Sequence, residues 1–181
     1  MTNPQTDEYE LLGRDPHAWV RLARTMRDAA NLVLPSLSDA FPGGRTRDRD
    51  MRRQQLFLMQ PYQLLAGYAV ELLLKAILIS RRPEILSDGA LSPKAWTGRS
   101  NGHALQALAT EAQVQLNSDE QDLLFRLECF VTWSGRYPVP TKSVNYPEGS
   151  KSSGERTFKT SDPRLIANLC DRLERIALPE A

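Results

Sequence analysis

Histidine and cysteine are scarce in this chain, with two of each in 181 residues. The cysteines, Cys129 and Cys170, each fall inside an expected helix. With no cluster around them they read as small core hydrophobes in a reducing compartment. His17 and His103 lie far apart in sequence, and no Cys/His spacing suggests zinc. No metal or cofactor is implied. An excess of one charge is also missing: 23 Lys and Arg stand against 22 Asp and Glu, for a net charge of +1. No global field points to nucleic acid or to an acidic membrane, so any nucleic-acid contact has to be a local patch. The apolar stretch Leu64–Ile79 falls short of the ~20 residues a membrane span needs, and it carries Glu71 and Lys75. The first residues, from Met1 to Glu8, are polar and acidic, unlike a signal peptide. The expectation is a cytoplasmic protein of one domain, without membrane contact, long enough to bury a core unaided.

What is present is a charged pair inside a greasy helix. The run from Gln63 to Ile79 is apolar on nearly every face, as in the centre of a bundle. Glu71 and Lys75 interrupt it, four residues apart. At ~100° per residue they share a face, and Tyr68 falls on the same face. A buried charge is costly without a partner. This stripe therefore pairs within itself, lines a polar cleft, or forms a dimer seam.

Helical patterning covers most of the rest. Residues 1–14 read as a flexible tail and 15–181 as one helical domain. Asp15-Pro16 is a helix start, with a capping carboxylate and a proline in the first turn. Trp19, Leu22, Met26, Ala29, Ala30 and Val33 line one side of that helix, and Pro35 is expected to end or kink it. Phe41-Pro42-Gly43-Gly44 breaks the chain. A mixed but basic stretch, Arg45–Arg53, leads into a helix from about Gln54 to Ser80, kinked or restarted near Pro61. A third helix is expected over His103–Ala112. A fourth follows a cap at Asn117, with Leu123, Leu124, Leu127, Phe130 and Val131 facing in. Residues from about 138 to 161 form a long polar loop. Within it Lys142–Tyr146 and Arg156–Lys159 could pair as a hairpin. Asp162-Pro163 opens the last helix. The fold class expected is all-α: a compact bundle of four to five helices with a long polar loop before the last one.

Three motifs stand in order: Gly67-Tyr68-Ala69-Val70-Glu71-Leu72-Leu73-Leu74-Lys75-Ala76, then Gly102-His103-Ala104-Leu105, then Trp133-Ser134-Gly135-Arg136-Tyr137-Pro138. Together they resemble the HEPN superfamily of compact, usually dimeric helical bundles, common in prokaryotic toxin–antitoxin and anti-phage systems. Many of its members resemble metal-independent ribonucleases that use an arginine followed four to six residues later by a histidine. The histidine would manage a proton, and the arginine the developing phosphate charge. Others bind nucleotides, RNA or partner proteins. This chain departs from the nuclease pattern, since no histidine follows Arg136. The resemblance therefore implies a homodimeric binding or regulatory member, taking RNA, a nucleotide or a cognate protein. The alternative it implies is a ribonuclease using His103 and Arg136 brought together by folding.

Each candidate also has a plainer role. Glu71 and Lys75 either line a ligand cleft with Tyr68 or form a structural ion pair. His103 either acts as an acid–base or phosphate-contacting group beside free N–H donors at a helix start, or is a capping or core-edge histidine that hydrogen-bonds a neighbouring helix. Arg136 either clamps phosphate or satisfies helix-end carbonyls, with Glu71 as a candidate partner in the core. Trp133 and Tyr137 either stack a base or pack. Arg45–Arg53 either touches RNA phosphates or is a solvated helix entry.

Overall fold

A computed structural model describes residues 4–41, 43–87, 90–91, 102–136 and 157–179. The all-α expectation holds. The helices are α1 (Pro4–Arg14), α2 (Pro16–Asp39), α3 (Arg49–Leu56), α4 (Met59–Arg81), α5 (Leu105–Glu111), α6 (Ser118–Cys129) and α7 (Asp162–Ala177). A π turn, Phe130–Ser134, extends α6. A two-residue antiparallel pairing sets Leu86 against Leu91 and Ser87 against Ala90.

α4 is the axis of the bundle. α2 runs along it with the most extensive contact, and α7, α5, α6 and the π turn cover further sides. Val70, Leu74, Ala76, Ile77 and Ile79 are wholly buried. Each large side chain of that set contributes roughly 1.5–3 kcal/mol by leaving water. By length and composition Arg49–Arg81 could cross a membrane, but its most apolar window is 72% buried inside the protein, as in a core helix. One stripe of α4 is only half-buried: Leu64, Leu65, Tyr68 and Leu72.

Local signals explain several boundaries. Asp15 accepts a hydrogen bond from His17 N at 2.9 Å and Pro16 follows in the first turn. Asn117 and Glu120 form a reciprocal capping box at the start of α6. Asp48 caps α3 by accepting from Met51 N at 2.7 Å.

Three expectations need correction. Residues 4–14, read as a flexible tail, form α1. Arg14 Nε donates to the Leu86 carbonyl at 2.9 Å, Trp19 Nε1 donates to the Gly13 carbonyl at 2.8 Å, and a Cβ on Gly13 would stand 2.5 Å from Leu86 Cδ1. Such long-range docking leaves no local pattern. Pro35 does not end α2, which continues to Asp39 because Leu37 is fully buried beyond it. The restart expected near Pro61 is present and needs no correction: α3 and α4 meet at Phe57–Leu58, and Pro61 sits in the first turn of α4, where a missing N–H costs nothing. α5 begins at Leu105, so His103 precedes the helix. Of the expected hairpin, Lys142–Tyr146 and Arg156 lie outside the described residues, and 157–159 form no strand.

Candidate functional site

The buried charges of α4 meet the loop before α5. Lys75 Nζ donates to Glu71 Oε1 at 2.6 Å. The other carboxylate oxygen, Oε2, lies 2.9 Å from His103 Nδ1. Glu71 is 4% exposed and Lys75 8%, whereas the His103 side chain keeps 30% of its surface in solvent. One carboxylate thus holds a buried ammonium on one side and a half-exposed imidazole on the other. The α-helical spacing of four residues sets the first contact. The second depends on Gly102, whose φ of +83° is a backbone region that L side chains rarely adopt.

A carboxylate can only accept, so Nδ1 is the donor to ionised Glu71. That contact leaves Nε2 without a hydrogen bond among the described residues. An imidazole held this way by a carboxylate can bind a partner at Nε2, or move a proton there. Tyr68 lies one turn before Glu71 on α4 and is half-buried.

The N–H donors expected to hold phosphate near His103 are already occupied. Gln106 N donates to Glu128 Oε2 at 3.2 Å, and Leu105 N also bonds this carboxylate. Burial pushes the Glu128 carboxyl above its ordinary range, against the opposing effect of these backbone bonds. A second anion at that helix start would meet a carboxylate.

Arg136 stands elsewhere. It is exposed just past the π turn, and its Nη2 donates to the Thr132 carbonyl at 2.8 Å, the plainer of its two roles. Both Glu71 oxygens are taken by Lys75 and His103. Gly135 sets the turn against α4, since a Cβ there would stand 2.8 Å from Leu64 Cβ. Leu64 precedes Glu71 by two turns of one helix, about 10 Å along its axis. The side chain of Trp133 and all of Tyr137 lie outside the described residues. No group of three or more His, Cys, Asp and Glu side chains among the described residues could hold a metal ion.

Sequence reasoning missed a second buried pair. Arg126 and Asp162 are each 1% exposed. Arg126 Nη2 donates to Asp162 Oδ1 at 2.8 Å, and Nη1 donates both to Oδ2 and to the Thr157 carbonyl. Gln63 Nε2 also donates to the Thr157 carbonyl, at 3.1 Å. Phe158 lies against Phe41 and Tyr62, with ring centroids at 5.2 and 5.6 Å. The available signal was an arginine inside the apolar stripe Leu123–Leu127. Asp162 gave none, because it reads as an ordinary helix-start residue.

The chain matches no family model, no curated protein and no solved structure.

Proposed function

We propose that the chain is a HEPN-like helical domain that acts as a homodimer and binds a nucleotide or RNA, in a prokaryotic defence or stress setting, without the standard nuclease motif. The observation that carries this reading is His103, held by Glu71 through Nδ1 while its side chain keeps 30% of its surface in solvent. The imidazole is the exposed tip of a cluster whose buried charges offset each other. Arg136, exposed just past the π turn, is the second residue assigned to this reading, as a cation apart from the cluster. The half-buried stripe Leu64, Leu65, Tyr68 and Leu72 supports a seam for a second copy.

Fluorescence titration with labelled mononucleotides and with mixed RNA tests the reading. His103→Ala and Arg136→Ala are expected to weaken binding about tenfold or more while the circular dichroism spectrum stays unchanged. Unchanged binding in both variants would remove these residues from the site.

One observation favours a second reading. A carboxylate-held imidazole is also the arrangement of a general base. A metal-independent ribonuclease would then use His103 on the 2′-hydroxyl, with Arg136 on the phosphate. It predicts RNA cleavage in EDTA that disappears in His103→Ala. Cleavage that needs a divalent ion, or that survives His103→Ala, would count against it.

A further inference from the structure

No residue of α3 is buried. It is tied to the end of α2 by a side chain, Arg52 Nε donating to the Ala40 carbonyl, and in the segment before it Arg45 pairs with Asp39 through two bonds of 3.0 Å. Asp48 is occupied in capping Met51 N. Five arginines stand against two aspartates between positions 45 and 53. Arg47, Arg49 and Arg53 have no acidic partner among the described residues.

Arg49 and Arg53 fall one turn apart on α3, and Phe57, the αR residue that caps its end, continues their ridge at the next i+4 position. Phe57 is 62% exposed. Arg49, Arg52, Arg53 and Leu56 also line an open cavity of about 630 Å³ with Asp48 and Asp50. Guanidinium groups one helical turn apart start from Cβ atoms about 5–6 Å apart. That is the order of the spacing between successive phosphates of an extended strand. Arginine binds phosphate in a planar, two-pronged way, and an exposed aromatic ring accepts any base on its face.

We propose that the Arg49–Arg53–Phe57 ridge docks single-stranded RNA, with the two guanidinium groups on phosphates and a base stacked on Phe57. The proposal deepens the RNA part of the function proposed above and rests on it. A protein partner fits less well. An acidic helix would answer the arginines, but Met51 points to the opposite side of α3 from the ridge by helical geometry. Phe57 and the 38%-exposed Leu56 are then the apolar groups beside the ridge, too little area for the seat of an amphipathic partner. The same shortage of apolar area argues against insertion into a lipid surface.

The test is fluorescence anisotropy of a labelled oligouridine over a salt series, with a mononucleotide titration beside it. Arg49→Ala/Arg53→Ala is expected to weaken oligouridine binding about tenfold and to reduce the slope of log K against log salt by about 1.4, the release of two phosphate contacts. Phe57→Ala is expected to weaken binding and leave the slope unchanged. Mononucleotide binding is expected to be unaffected by all three substitutions. Circular dichroism confirms that the variants keep their helices. Oligouridine binding that is lost in His103→Ala but unchanged in Arg49→Ala/Arg53→Ala would overturn the ridge and leave the function standing. A protein that binds mononucleotide but no oligouridine would do the same. A protein that binds neither would overturn both. Binding to vesicles of anionic lipid in place of oligouridine would also overturn the proposal.

Discussion

Glu71 Oε2 lies 2.9 Å from His103 Nδ1, across 32 positions of sequence. This contact turns a helix-internal ion pair into a site, because it carries the buried charge of α4 to a side chain that solvent can reach. Lys75 completes the arrangement from the other side of the carboxylate.

Removing the carboxylate alone leaves a buried ammonium without its Glu71 partner. Glu71→Ala is expected to cost about 3–5 kcal/mol in urea unfolding. Glu71→Leu/Lys75→Met, which replaces both charges by apolar groups, is expected to recover most of that loss. A Glu71→Ala cost below about 1 kcal/mol would mean the cluster is well solvated.

The Arg126–Asp162 pair is buried still more completely, and it ties α6 to the start of α7 and to the Thr157 carbonyl. Asp162→Ala is expected to destabilise by about 3–5 kcal/mol. Arg126→Lys is expected to rescue little, because an ammonium cannot make the two-pronged contact. Equilibrium unfolding of the two single variants and the double variant checks both statements.

Burial pushes the Cys170 thiol up to about 12. Very little thiolate is then present near neutrality, and thiolate is the reacting form. A Cys129→Ala variant, which keeps only Cys170, is expected to be inert to an aromatic disulfide reagent at about pH 8 until denaturant unfolds it. Rapid labelling of the folded variant would contradict the packing of α7 on α4.

Glu128 provides a pH test with a defined sign. Its carboxyl is raised in the folded state, mainly by burial. Such a group supports folding most fully below its unfolded value, about 4.3, and that support is lost as pH rises through the higher folded value. Wild type is therefore expected to lose stability relative to Glu128→Gln on going from about pH 4 to pH 7. Gln keeps an acceptor oxygen for the start of α5. Asp122 and Glu174 move the other way: hydrogen bonds from Lys159 and Arg24 lower their carboxyls, so their support disappears as pH falls. Those two groups are common to both proteins, and the difference between the titrations isolates Glu128.

The elements legible in the sequence are those fixed by neighbours in the chain. The Asn117–Glu120 box, the Asp15-Pro16 start and the core helix around Val70 follow from spacing alone. So does the Glu71–Lys75 pair, because four residues are one turn. The rest depends on distant partners. α1 is held through Leu86, 72 positions from Arg14. Glu128 reaches Gln106 N across 22 positions and takes the donors that a local reading leaves free. The break at Phe57–Leu58 itself carries neither glycine nor proline, and its signal is Pro61, in the first turn of the helix that restarts there. His103 could be picked out from its glycine and helix start, but its partner could not.

The central claim is that the His103 cluster binds and does not cleave. The most direct measurement is incubation of the purified protein with a mixed RNA pool in EDTA, beside His103→Ala, with binding and chain length both read out. The account predicts intact RNA throughout, bound by wild type and bound more weakly by the variant. Cleavage by wild type that vanishes in His103→Ala would contradict it and establish the cluster as a general-base site.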